Sequence, residues 1–181
     1  MVCCFLFSLN MWALNRIHIV EVAISQLGRS DQDARCPAEG CYYGYGTNWC
    51  SEFVSWVYNQ ANEPFSSGKP IDWLLNDTVK IRSWFRAQGK FIDRQSSQWK
   101  SFSPQPGDYV FIGRANEIGG FTSRQHSGIV EYVDELGNLH TIEGNNNHRP
   151  VERYVYSSFR INSTENGLAN GIVLGFGDLS Q

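Results

Sequence analysis

The hydrophobic period of this chain changes near Gly89, and that change limits the folds that the chain can adopt. Before Gly89, apolar residues recur every three or four positions, which predicts helices over Arg16–Leu27, Cys50–Ala61 and about Thr78–Gln88. After Gly89, short apolar runs alternate with turn residues, which is typical of strands. The predicted strands are Tyr109–Ile112, Ser127–Val133, Leu139–Glu143, Tyr154–Tyr156 and Gly171–Phe176. Helices followed by a strand meander predict an α+β domain with an antiparallel sheet.

Residues at the element ends support these bounds. Thr47 and Asn48 precede the second helix, and Asn76 or Asp77 precedes the third; these residue types cap helix N-termini. Gly28 is the expected stop of the first helix. Arg114–Arg124 contains glycines and is predicted as a loop.

The composition describes an ordinary globular domain. The chain has 181 residues, with 15 basic against 18 acidic side chains, so nothing in its charge calls for a nucleic-acid partner. Six Trp, eight Tyr and eleven Phe supply both core and groove candidates. Five cysteines is an odd number; Cys36 and Cys41 flank a turn and would either bridge or stay reduced. The ligand count does not suit a zinc site.

The first residues form a separate apolar segment. Residues 1–15 lack the basic start of a signal peptide, and they are too short to span a bilayer. They are a degenerate export signal, an extra element packed on the domain, or an over-extended start. We expect a catalytic-type domain over residues 16–181.

Cys50 begins the second predicted helix. Its apolar face recurs through Phe53, Val54, Val57 and Ala61. A cysteine in the first turn lies near unpaired N–H groups and the positive end of the helix dipole, which favours the nucleophilic thiolate. The alternative is a small buried cysteine on a core helix.

The predicted hairpin over Ser127–Glu143 brings a histidine and a carboxylate together. His126 opens one strand and Glu143 closes its partner, so pairing near direct opposition places both on one face. Asn145 joins that face if the strand continues. A cysteine, a histidine and an orienting polar group are the parts of a thiol hydrolase. Alternatively, Glu143 would only pair with Arg149 or Arg153.

Five segments of the sequence resemble those of a known family, the CHAP domains. These are cysteine- and histidine-dependent amidohydrolases/peptidases of the NlpC/P60 superfamily. The order and spacing of five segments agree with that family from about Arg16 to Gly177. These segments are Val20–Gly28, Trp49–Val57, Pro104–Phe111, His126–Val130 and Thr141–Asn145. The resemblance implies a papain-like α+β fold and hydrolysis of amide bonds, usually in bacterial peptidoglycan.

The resemblance also implies roles for individual residues. Cys50 would be the nucleophile, His126 the base, and Glu143 with Asn145 the orienting groups, with Glu143 as our choice for the main one. The oxyanion would bind the Cys50 N–H and a second donor; the candidates for that donor and for substrate contacts are Tyr42, Tyr43, Tyr45 and Trp49.

Neither a metal nor a cofactor is expected. Some phage members bind calcium just before the cysteine, but Asp31 and Asp33 are too few ligands here.

The sequence therefore favours a peptidoglycan hydrolase, either an N-acetylmuramoyl-L-alanine amidase or a stem-peptide endopeptidase. A non-wall amidase of the glutathionylspermidine type and a catalytically silent peptide- or protein-binding module are the alternatives. We expect a monomer that is secreted or held in the cell envelope, with a peptidoglycan peptide as substrate. No nucleic acid or membrane span is expected, and an inhibitory partner protein is left open.

Overall fold

The computed structural model of the protein describes residues 15–30, 49–65, 73–115, 121–157, 159 and 171–180. Within these ranges, residues 15–24 form helix α1, Cys50–Gln60 form α2 and Thr78–Ala87 form α3. A single 3-10 turn covers Asn146–His148. None of the helices described here has the length and apolar character needed to cross a bilayer.

Six strands form one antiparallel sheet. They are β1 (Phe91–Asp93), β2 (Tyr109–Ala115), β3 (Phe121–Val133), β4 (Leu139–Glu143), β5 (Glu152–Tyr156) and β6 (Ile172–Gly177). Their order across the sheet is β1-β6-β2-β3-β4-β5, and every neighbouring pair is antiparallel. Helices gathered before an antiparallel sheet confirm the predicted α+β class. The papain-like topology remains an expectation from the resemblance.

Helix α2 packs its apolar stripe against the sheet. Phe53, Val54 and Val57 are fully buried in one cluster with Ile129 of β3 and Ile142 of β4. A second cluster lies on the other face of the sheet, because its strand residues alternate with those of the first cluster, and it includes the ring of Trp99. Its members are Ile92, Trp99, Val110, Ile112, Val130, Leu139, Tyr154, Tyr156, Phe159, Val173 and Phe176. Apolar burial on both faces fixes the sheet, and with it the strand ends that carry the site.

Buried polar contacts tie the helices to the start of β2. Arg16 of α1 forms an ion pair with the fully buried Asp108, with 2.7 Å between Nη1 and Oδ1. The Tyr58 hydroxyl of α2 donates to the Gly107 carbonyl at 2.7 Å. Helix α1 ends at residue 24, three residues before the predicted end at Leu27, because the chain tightens into turns there: the N–H groups of Gln26 and Leu27 donate to carbonyls three residues back. Gly28 closes these turns, with a φ of +81° and an N–H that donates to the Val151 carbonyl.

Three further element bounds differ from what the sequence predicted. The loop predicted over Arg114–Arg124 is shorter, because β2 runs to Ala115 and pairs there with Phe121 of β3. The glycines of this segment predicted a loop, but main-chain pairing between β2 and β3 continues past a bulge after Gly113. Strand β1 was not predicted, because three residues are too few for a period signal.

The third correction concerns the start of α2. Its N-cap residue is Trp49, which makes no side-chain capping bond because an indole has no acceptor oxygen. Thr47 and Asn48 lie outside the described residues. In α3 the prediction is confirmed: the Asp77 carboxylate accepts from the N–H groups of Val79 and Lys80.

Candidate active site

Cys50 is the first residue of α2 and carries a free, buried thiol. Only 6% of the residue is exposed. Burial alone would raise the pKa of the Cys50 thiol, but the charge and hydrogen bonding of His126 lower it, helped by the Ser127 backbone N–H and the Ser51 hydroxyl. The net pKa lies below the ordinary value, so the site favours the thiolate.

His126 lies on β3, opposite Ile112 of β2. Its Nε2 is 3.0 Å from Glu143 Oε2. The pair lacks hydrogen-bond alignment at this distance, so the contact is a close ion pair rather than a well-directed bond. Burial lowers the pKa of His126, but the Cys50 thiolate and then Glu143 raise it to about 10. With Nε2 facing Glu143, Nδ1 is the ring nitrogen left for Cys50.

The Glu143 carboxylate is fully buried and clamped by three donors. Oε1 accepts from Thr141 Oγ1 at 2.6 Å and from the Tyr156 hydroxyl at 2.9 Å. Oε2 accepts from Asn146 Nδ2 at 2.8 Å. These bonds hold Oε2 toward the His126 ring. The two arginines considered as alternative partners of Glu143 pair elsewhere: Arg149 with Glu152 and Arg153 with Glu131.

A β-bulge sets the face on which Glu143 lies. Near the turn, Val133 pairs with Leu139 and Tyr132 with His140, but the register shifts between Val130 and Tyr132. Without that shift, Glu143 would come opposite Ile129 and face away from His126, because alternate residues point to opposite faces. With the shift, the ladder continues from the Ile129–Ile142 pair and brings Glu143 opposite Gly128. The carboxylate then reaches diagonally to His126, two residues from the predicted direct opposition.

Asn145 does not continue the strand, contrary to the sequence expectation. Strand β4 ends at Glu143, and Asn145 has a φ of 63°, in the left-handed region. Its N–H donates to the Arg149 carbonyl at 3.1 Å. Asparagine tolerates this conformation better than most residues. The neighbouring Asn146, 2% exposed, is the amide that reaches Glu143, and the sequence analysis gave it no role. The Gly-Asn-Asn-Asn run was the available signal for a turn here.

The remaining candidates divide by position. Trp49 is 4% exposed and belongs to the helical core, and a β-carbon at Gly144 would meet its ring at 2.3 Å. Such burial favours a packing role for the indole. Tyr42, Tyr43 and Tyr45 lie outside the described residues, as do Asp31 and Asp33. Across the described ranges, no three His, Cys, Asp or Glu side chains gather in a way that could hold a metal ion.

This arrangement has the chemistry of an activated thiol. The protein surroundings shift both pKa values toward a thiolate–imidazolium pair: that of Cys50 downward and that of His126 upward. A clamped carboxylate beside the ring stabilises the imidazolium and fixes its orientation. Nucleophile, acid–base group and orienting group thus lie together, with Cys50 and Glu143 buried and the His126 side chain 12% exposed.

Comparison with known proteins gives one match. The family model of the CHAP domain matches residues 42–145, more than half of the 181-residue chain. No curated protein and no solved structure matches the chain. The matched range contains Cys50, His126 and Glu143 and confirms the resemblance; it covers four of the five sequence segments, and Val20–Gly28 lies before it. The chain belongs to the CHAP domain family.

Proposed function

We propose that this protein is a thiol-dependent amide hydrolase that cleaves peptidoglycan within, or at the base of, the stem peptide. The CHAP family generally comprises cysteine hydrolases and peptidases, commonly acting on peptidoglycan. The observation that carries the proposal is the His126–Glu143 contact of 3.0 Å beside a thiol whose pKa is lowered. A silent binding module has no need to raise the pKa of a histidine to about 10.

In the acylation step, the Cys50 thiolate attacks the carbonyl carbon of the scissile amide. The carbonyl oxygen becomes an oxyanion, and the N–H groups in the first turn of α2, beginning with that of Cys50, are preorganised donors for it. The His126 imidazolium then gives its proton to the leaving amine, and the C–N bond breaks. A thioester on Cys50, a free amine and a neutral imidazole result.

In the deacylation step, the neutral His126 accepts a proton from water, and the resulting hydroxide attacks the thioester carbonyl. The C–S bond breaks, which returns the thiolate, the imidazolium and a carboxylic acid product. Throughout both steps Glu143 holds the ring, because Thr141 and Tyr156 prevent its carboxylate from turning away.

The segments that flank the site in sequence support a polar substrate. Arg29–Gly46 and Arg114–Arg124 combine tyrosines or glycines with side chains of both charges. Stem peptides of peptidoglycan carry carboxylates and amines and are short, so they suit segments of this composition better than a long apolar peptide does. The final assignment to the amidase or to the endopeptidase depends on which bond is cut.

The test is digestion of purified sacculi by the full chain, with mass spectrometry of the released fragments. We expect new amino groups, whose release survives EDTA and disappears after iodoacetamide treatment. Cys50→Ser is the matched control, because the near-isosteric change keeps the fold and removes the thiol. A new N-terminal L-alanine identifies an amidase, and a new amine within the stem identifies an endopeptidase.

Two results would overturn the proposal. Wild-type turnover in Cys50→Ser would place the nucleophile elsewhere. An intact fold that releases no amines from any peptidoglycan chemotype would exclude the wall substrate. Hydrolysis of glutathionylspermidine would then assign a non-wall amidase, and binding of stem peptides without turnover would assign a binding module.

A further inference from the structure

Four buried hydroxyl groups lie together beneath Cys50. We call Ser51, Thr78, Tyr109 and Ser127 the hydroxyl cluster. Each comes from a different element: Ser51 from α2, Thr78 from α3, Tyr109 from β2 and Ser127 from β3. None of the four is more than 7% exposed. A buried hydroxyl is unfavourable unless it is hydrogen-bonded, so the partners of each group can be counted.

The hydroxyls bond mainly to one another. Ser51 Oγ is 2.9 Å from Thr78 Oγ1 and 3.1 Å from Ser127 Oγ. Ser127 Oγ donates to Thr78 Oγ1 at 3.2 Å, which closes a triangle of three oxygens. The Tyr109 hydroxyl lies 3.2 Å from Ser127 Oγ and 3.4 Å from the Thr78 carbonyl.

The triangle touches the nucleophile on one side. Cys50 Sγ is 3.9 Å from Ser51 Oγ and 4.0 Å from Thr78 Oγ1. Thr78 is held there by the start of α3, where the Asp77 carboxylate accepts from Val79 N–H at 2.6 Å and fixes the first turn. The capped start of α3 therefore places the Thr78 hydroxyl next to the Cys50 sulfur. The proposed chemistry gives α3 no other role.

Counting protons shows what the hydroxyl cluster can do. With a neutral sulfur, Ser51, Thr78 and Ser127 can each donate to the next oxygen in a closed ring. With a thiolate, the protons can instead run in one line, from Tyr109 to Ser127, to Thr78, to Ser51 and to Cys50 Sγ. Every oxygen keeps a hydrogen bond in both arrangements. Burial raises the pKa of Tyr109, so the phenol keeps the proton with which the line begins.

We propose that the hydroxyl cluster stabilises the Cys50 thiolate, with Ser51 and Thr78 as positioning residues that turn one O–H toward the sulfur. Hydrogen bonds to a charged acceptor are stronger than neutral ones, so the arrangement favours ionised sulfur over the thiol. Among the described residues, the other charged or titratable groups that act on Cys50 or Tyr109 are His126 on β3, Arg82 on α3 and Asp77 at the N-cap of α3. The substitutions tested below leave all three of these side chains in place.

A purely structural role would differ in one respect. Hydroxyls that only join α2, α3, β2 and β3 would affect the free energy of unfolding but not the ionisation of Cys50. The role in catalysis rests on the proposed function, whereas thiolate stabilisation is measurable without any substrate. Failure of this inference is therefore distinguishable from failure of the proposed hydrolysis.

The experiment measures the rate of iodoacetamide alkylation at Cys50 against pH, in the full chain, with peptide mass spectrometry to resolve Cys50 from the other cysteines. We expect the midpoint of the profile to move upward by roughly one pH unit in Thr78→Val and in Ser51→Ala, equivalent to about 1.4 kcal/mol. Thr78→Ser keeps a hydroxyl and should restore the wild-type midpoint.

Ser55→Ala is the matched control. Ser55 is another fully buried serine of α2, but its hydroxyl bonds to the main chain of Leu75. We expect this variant to lose stability without moving the Cys50 midpoint. The proposal is overturned if both Thr78→Val and Ser51→Ala overlay the wild-type profile. An equal shift in Ser55→Ala would also overturn it, because loosened packing would then explain the effect.

Discussion

Gly128 and Glu143 are so close that a side chain on the glycine would collide with the carboxylate residue. A β-carbon at Gly128 would lie 2.8 Å from Glu143 Cγ and 3.0 Å from Val110 Cγ1. The space that a β-carbon would fill is taken by the stem of the residue that contacts His126. The histidine strand therefore needs a glycine two residues after His126 for the carboxylate to cross it diagonally.

Gly128→Ala is expected to lower turnover by about 100-fold, because it displaces Glu143 from the His126 ring, and misplacement by about 1 Å has effects of that size. The measurement is steady-state hydrolysis together with the melting temperature. Gly137→Ala is the control: this turn glycine has a φ of +78° and open space around it, so alanine there strains the backbone far from the site. We expect it to lower stability but not turnover. Wild-type turnover in Gly128→Ala would refute the argument.

Glu143→Ala is expected to lower turnover by roughly 10² to 10⁴, the scale of a mispositioned acid–base group. Tyr156→Phe removes one of the donors that clamp Glu143 and should give a smaller loss. Circular dichroism would show that both variants are folded. If Asn145→Ala costs more turnover than Glu143→Ala, the orienting role belongs to Asn145 instead.

Much of this arrangement could be predicted from local signals. The stripe through Phe53, Val54 and Val57 predicted α2, and the strand bounds Leu139–Glu143 agree with the structure, because periods of 3.6 and 2 are carried by adjacent residues. The same alternation placed Glu143 near His126 without knowledge of the bulge between Val130 and Tyr132. The bulge leaves no mark in the alternation; it shifts the ladder by one residue toward the predicted register, and the pairing remains two residues from direct opposition.

The remaining contacts depend on tertiary structure. Tyr156 reaches Glu143 from β5, and Thr78 reaches Cys50 from α3; neither pair is close in sequence. Asn146 was missed for a different reason, since its position follows from the left-handed φ of Asn145, which ends the strand. Single residues of these types carry no period, so a sequence pattern cannot assign them a partner.

His126 is expected to titrate near pH 10 in the wild type and lower by roughly two units in Cys50→Ala, because the thiolate is the largest group raising its pKa. A raised histidine pKa means that the ring's contribution to stability is fully present below about 6.5 and is lost as pH rises through about 10. Hydrolysis should fall over the same upper range as the imidazolium loses its proton. NMR of the imidazole Cε1–H signal, assigned with His126→Asn, measures both values. An unchanged pKa in Cys50→Ala would mean that the two groups do not form an ion pair.

Arg16→Met is expected to reduce the free energy of unfolding by roughly 3 kcal/mol at pH 8, because it leaves the buried Asp108 carboxylate without its partner. Burial raises the pKa of Asp108 to about 6, although Arg16 lowers it. A carboxyl whose folded pKa lies above its unfolded value of 3.8 binds more protons when folded, so its contribution to stability falls as pH rises through that window. Removing Arg16 raises the pKa further and extends the fall toward neutral pH. The loss in unfolding free energy caused by Arg16→Met should therefore be smaller at pH 5 than at pH 8, as measured by urea unfolding.

Arg86→Met is the matched control, since the Arg86–Asp93 pair is half exposed and should be worth at most about 1 kcal/mol at either pH. If Arg16→Met loses as little unfolding free energy as Arg86→Met, or if its loss does not change with pH, the buried pair does not hold α1 to the start of β2.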